Sequence, residues 1–109
     1  MRAMAICRGA LVLACLAACG CFPHESQFIG AVDPVNNIPA IQKAAETRDT
    51  KSVPALVGQL NSDDPAVRLY AIQALQRITG KTFDYHFYDE VDERRPAIAR
   101  WQAYLKERK

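Results

Sequence analysis

The run DDPAVRLYAIQAL, residues 63–75, has the pattern of a helix opening on its own cap. Asp64 supplies the side-chain acceptor favoured at the N-cap, and Pro65 suits the first helical position, where no backbone donor is needed. Val67, Ala71, Ala74, Leu75 and Ile78 then recur at the helical period and form an inward face. Arg68, Gln73, Gln76 and Arg77 lie elsewhere on the cylinder. Gly80, just past Thr79, is the residue type that closes a helix in a left-handed conformation.

The flanking sequence reads the same way. Upstream, Asn61–Asp64 is a turn, and before it Val53, Leu56, Val57 and Leu60 form the stripe of a short helix with Ser52 as cap and Pro54 early. Arg48–Lys51 is a break. Ile38, Ile41 and Ala45 mark a further helix, with Asn36 or Asn37 as cap and Pro39 in its first turn. Downstream, KTFDYHFYDEVD (residues 81–92) carries four aromatics without a helical stripe and reads as a short extended piece or a loop laid over the helices. A last helix from about Glu93 to Glu107 places Ala97, Ile98, Trp101, Tyr104 and Leu105 on one side. No strand pattern has a partner. The expectation is an all-α domain of about four helices over residues 36–109, with residues 19–35 as a tether rich in breakers.

A short helix, a tight turn and a second helix opening Asp63-Asp64-Pro65-Ala66-Val67-Arg68 together resemble a HEAT repeat of the short bacterial kind, similar to the phycobilin-lyase HEAT-like group. Residues 52–80 match one repeat and residues 37–51 an abbreviated preceding one. The resemblance implies a short α-solenoid in which Arg68 bonds within or between repeats, and a C-terminal helix bearing Trp101 as cap. It does not imply lyase chemistry, because fold does not carry function. Stacked repeats normally need about three neighbours to bury their faces. With fewer here, Trp101, Phe83 and Tyr85 are expected to cover the open side of the Val67–Ile78 helix.

All four cysteines, Cys7, Cys15, Cys19 and Cys21, stand at the N-terminus. A disulfide framework would spread them through the domain it closes. Cys19-Gly20-Cys21 lacks the second pair that a tetrahedral metal site requires, even with His24 nearby. Arg2 and Arg8 followed by an apolar stretch from Ala10 to Ala18 form a secretory signal too short to span a bilayer. Its end, Leu16-Ala17-Ala18-Cys19, resembles the lipobox of bacterial lipoproteins. That resemblance implies removal of residues 1–18, a diacylglyceryl thioether on Cys19 and acylation of the new amino group. Cys21 is a poorer match to the same pattern, and Ala14-Cys15-Leu16 would suit ordinary signal cleavage. Two or more acyl chains hold a protein durably on a membrane. Gly20 is not the aspartate linked in that family to inner-membrane retention, which points to the periplasmic side of the outer membrane.

The formal charge of +2 belongs to Arg2 and Arg8, since the remainder balances basic against acidic residues. Binders of nucleic acid carry a basic excess to displace counterions, so that class loses its support. No nucleophile, metal or phosphate-loop motif appears. The expectation is a non-catalytic interaction or assembly module of the cell envelope with no cofactor beyond its lipid, no metal and no small-molecule substrate. Tyr70 and Tyr88 are the candidate contacts to a protein partner, tyrosine being a common interface anchor. The alternative is a small metal- or ligand-binding lipoprotein using Asp84, His86 and Asp89 of the 83–92 loop. The cations of the last helix, Arg94, Arg95, Arg100, Lys106, Arg108 and Lys109, answer the helix dipole and the acidic run Asp89–Glu93. Contact with anionic headgroups or an acidic partner is the other use for them.

Overall fold

A computed structural model describes residues 28–108, so residues 1–18, expected to form a signal segment, Cys19 and most of the expected tether lie outside the described residues. Among the described residues the chain is all-helical: α1 (Pro34–Thr47), a 3-10 turn (Thr50–Ser52), α2 (Val53–Gln59), α3 (Pro65–Thr79) and α4 (Val91–Glu107).

Helix α3 starts and stops where its residues dictate. The Asp64 carboxylate accepts from the Ala66 amide at 2.8 Å, Pro65 takes the first position, and Gly80 ends the helix at φ 78° with its amide on the Gln76 carbonyl. Helix α1 begins earlier than the Asn36 or Asn37 cap predicts. Asp33 is the cap, accepting from Val35 at 2.9 Å, and Pro34 is the first helical residue. Pro39 therefore sits inside the helix rather than in its first turn. Asn37 is instead buried; its Oδ1 accepts from the Gly30 amide and its Nδ2 donates to Gln59 Oε1, both at 2.9 Å.

These starts expose an internal repeat. Asp33-Pro34 and Asp64-Pro65 stand 31 positions apart, and Ala40-Ile41-Gln42 and Ala71-Ile72-Gln73 keep the same offset. The repeated helices pack side by side, α2 packs across α3, and α4 packs along α2.

Ser52 does not cap α2. Its hydroxyl donates to Asp49 Oδ2 at 2.8 Å, while Asp49 caps the 3-10 turn through the Lys51 amide. The turn runs straight into α2, so Ser52 already has helical angles and lacks the extended conformation that aims a capping side chain.

The core is continuous. Ile41 and Ala44 of α1, the α2 stripe Val53, Leu56, Val57 and Leu60, and Val67, Ala71, Ile72, Ala74 and Leu75 of α3 meet Tyr85, Ala97 and Trp101. Ile72 is buried as well as the expected face because α3 is flanked on two sides.

The 81–90 segment is an ordered loop, not a strand. Thr82–Tyr85 closes a turn, with the Tyr85 amide on the Thr82 carbonyl at 3.1 Å and positive φ at both Phe83 (55°) and Asp84 (60°). That is the mirror-image turn geometry that normally selects glycine or asparagine. Packing holds Phe83 there: its ring meets Trp101 edge-on at 4.8 Å and Tyr104 at 5.7 Å. From the turn, the loop descends along α4, accepting from Trp101 Nε1 at the Thr82 carbonyl and from Arg100 at the Phe83 carbonyl.

The descent sets the direction of α4. Val91 and Arg95 share a cavity with Asn61, just past α2, while Arg108 donates to the Thr50 carbonyl at the start of the α2 segment. Helix α4 therefore runs antiparallel to α2, and its backbone lies closest to α2 rather than α3. Trp101 and Tyr85 share one buried cluster with Val67, Ala71, Ala74 and Leu75 of α3 and with the α2 stripe, and Phe83 packs against it. A loop that crosses the full helix length delivers the last helix from the opposite end of the domain.

Candidate functional site

Three places collect the residues that the sequence singles out. The first is the turn around Arg68. Its Nε donates to the Phe87 carbonyl at 2.9 Å and its Nη1 to the Ser62 carbonyl at 2.7 Å. The guanidinium thus clips the 61–64 turn to the 81–90 loop through backbone acceptors only. Arg68 stands 31 positions after Asn37, and each ties the opening turn of its helix to neighbouring chain.

Beside Arg68 lie two residues that periodicity did not reveal. Tyr85 is buried and donates its hydroxyl to the Leu60 carbonyl at 2.6 Å. Burial pushes its pKa above the ordinary value, against the lowering pull of Arg94 and Arg68 and with a further push from Asp89. Arg94 is only 4% exposed; its Nη1 donates to the Asp89 carbonyl at 3.1 Å, and its Nε is buried without a partner. Both guanidinium groups sit near the C-terminal end of α2, where cations complement exposed carbonyls. The sequence names Tyr85 as part of the cover, but its carbonyl partner, 25 positions away, has no local signal.

The second place is the 83–92 loop. His86 Nε2 lies 3.3 Å from Asp84 Oδ1, and its ring meets Tyr88 edge-on at 5.4 Å. Asp84, His86, Tyr88, Asp89, Glu93 and Arg100 line an open depression against α4. Asp84 is well exposed, and Asp89 is held by its backbone rather than brought onto the imidazole. Among the described residues, no group of three or more His, Cys, Asp or Glu side chains is placed to hold a metal ion.

The third is the groove between the two repeated helices. Tyr70 of α3 stands over a depression of about 420 Å³ whose walls include Gln42, Ala45, Glu46, Gln73 and Arg77. Ala74 also lines it, so residues of both helices border the same space. Tyr88 lies on the loop, largely exposed, its ring edge-on to Phe87 at 5.3 Å. The two tyrosines therefore belong to separate surfaces. Asp64 and Pro65 act locally at the start of α3, Val67 is buried in the core, and Trp101 has no exposed surface. Cys19 lies outside the described residues. No helix among the described residues is long and apolar enough to cross a membrane.

No family model, curated protein or solved structure matches the chain.

Proposed function

We propose that this chain is a bacterial lipoprotein, anchored through Cys19 on the periplasmic side of the outer membrane, whose helical domain is a non-catalytic protein-interaction or assembly module. The observation that carries the anchored reading is Leu16-Ala17-Ala18-Cys19 at the end of a short apolar run with arginines before it. The module reading is supported by the 31-residue offset between α1 and α3 and by their side-by-side packing, features of a short HEAT-like solenoid. Helix α4, with Trp101 turned into the core, serves as the closing element. The Tyr70 groove between the repeated helices is the contact face, offering an aromatic anchor among small and polar lining residues.

The intact mass of the native protein from bacterial membranes tests the anchor. Loss of residues 1–18 with a diacylglyceryl and an acyl group on Cys19 is the expected result, and the mass of an unmodified polypeptide refutes it. A photo-crosslinking residue at position 70, activated in intact cells, tests the contact face. A reproducible protein adduct supports the module, and its absence argues for a purely structural lipoprotein.

A further inference from the structure

The described domain is charge-polarised along its helix axes. The Asn37–Gln59 bond sets the start of α1 beside the end of α2, the 60–64 turn joins that end to the start of α3, and Val91 of α4 shares a cavity with Asn61. Three helices thus begin at one pole and finish at the other. The pole of helix starts carries Asp33, Asp63, Asp89, Glu90, Asp92 and Glu93. Of its cations, Arg94 is buried, Arg68 is half-buried and Arg95 pairs with Asp92 at 3.2 Å. At the opposite pole Arg48, Lys51, Arg77, Lys81, Lys106 and Arg108 are all exposed, against Glu46, Asp49 and Glu107. Helix dipoles account for cations in the last turns of α3 and α4. They do not account for Lys51, which precedes α2, or for Lys81, which lies beyond the α3 cap.

The entry of the chain is the second observation. Phe28 and Ile29 line a groove between α1 and α2 together with Lys43, Thr47, Asp49 and Lys51. The chain from Cys19 therefore joins the domain on the flank that leads to the basic pole. The nine residues from Cys19 to Phe28 reach at most about 30 Å, more than the length of α4 at about 25 Å, so the tether leaves either pole free to face the surface and the charge distribution selects between them.

We propose that the pole formed by Arg48, Lys51, Arg77, Lys81, Lys106 and Arg108 rests on anionic phospholipid headgroups. The inference rests on the anchored reading above and adds an orientation to it. Basic residues near an anionic leaflet are attracted over about a Debye length, whereas the carboxylate-rich pole is repelled. The domain then stands with its helix axes steep to the membrane and its Asp63–Glu93 end outward. The Tyr70 groove, running between two upright helices, stays open to a partner.

The test uses the native full-length product reconstituted into vesicles of phosphatidylcholine alone or with phosphatidylglycerol. Lysine acetylation is read at Lys51, Lys81 and Lys106, and carbodiimide labelling at Asp63 and Glu90. The proposal requires lysine labelling to fall by about threefold or more on the anionic vesicles at low salt and to recover at about 0.5 M salt, with Asp63 and Glu90 unchanged. Equal lysine labelling on both compositions, or protection of Asp63 and Glu90 instead, overturns it. The variant Lys51→Glu/Lys81→Glu/Lys106→Glu, read by carbodiimide labelling at the new carboxylates, should show no dependence on vesicle composition. Persistent protection in that variant also overturns the proposal. Protection in intact cells without protection on anionic vesicles assigns the pole to an acidic protein and refutes the lipid assignment. If the native mass shows no lipid on Cys19, the anchor fails by itself. Salt-sensitive flotation of that unmodified protein with anionic vesicles would then uphold the basic-pole contact, and its absence would end it.

Discussion

Replacing Trp101 by alanine removes the largest fully buried side chain among the described residues. Truncating a buried aromatic costs about 3–5 kcal/mol, depending on how far the site collapses. Collapse is restricted here, because Phe83 is held edge-on at 4.8 Å in a left-handed turn and Tyr104 packs edge-on at 5.7 Å. The Trp101 Nε1 bond to the Thr82 carbonyl, 3.1 Å long, is lost as well and contributes about 0.5–1.5 kcal/mol. The expected loss is about 4–5 kcal/mol. A domain of this size holds about 4–12 kcal/mol at about 0.05–0.15 kcal/mol per residue, so Trp101→Ala should remove from about a third of the stability to all of it. Trp101→Phe keeps a ring in the core, loses the donor, and should cost about 1–2 kcal/mol. Urea titration followed by far-ultraviolet circular dichroism measures both, provided the slope with denaturant stays constant. If Trp101→Ala loses less than about 1.5 kcal/mol, or matches Trp101→Phe, the indole does not hold α4 and its loop onto the rest of the core, and the reasoning fails.

Asp64→Ala removes the acceptor for the Ala66 amide and should cost about 1 kcal/mol, lowering the melting temperature by about 4–8 °C, while Asp63→Ala beside it stays within about 0.5 kcal/mol. Tyr85→Phe should cost about 1–2 kcal/mol at neutral pH by leaving the Leu60 carbonyl without its donor. Because the folded-state pKa of Tyr85 is raised above 10.0, the folded protein holds this proton more tightly than the unfolded chain does. Its contribution is therefore complete below pH 10.0 and falls as pH rises beyond that value. The stability gap between wild type and Tyr85→Phe, measured by urea unfolding at neutral and alkaline pH, should narrow above pH 10.0; a constant gap refutes the assignment.

The cores of the helices were legible because their signals are local. Asp64, Pro65, the Val67–Leu75 spacing and Gly80 specify α3 through capping, a missing donor, burial period and a left-handed stop, none of which needs a distant partner. The α2 stripe reads equally well, since four apolar residues in eight positions leave one face to bury. Where two local rules competed, the pattern misled. Asn36 and Asn37 looked like caps, yet Asp33-Pro34 repeats the Asp64-Pro65 signal 31 residues earlier. Ser52 has a capping side chain but inherits helical angles from the turn before it.

What periodicity cannot contain is the path between elements. Residues 81–92 have no period of their own, and only the Trp101, Arg100, Arg94 and Arg68 donors, reaching backbone carbonyls up to 19 positions away, determine that the loop runs down α4. That path sets the last helix antiparallel to α2, buries Tyr85 and Arg94 at the end of α2, and separates Tyr70 from Tyr88. Likewise, the chain's charges balance when counted along the sequence beyond residue 18, and polarity appears only when three helices begin at the same pole. Sequence alone determined the helices, because caps and apolar spacing act over a few residues. Tertiary structure alone decided direction, neighbours and the distribution of charge in space, because these depend on which distant groups meet.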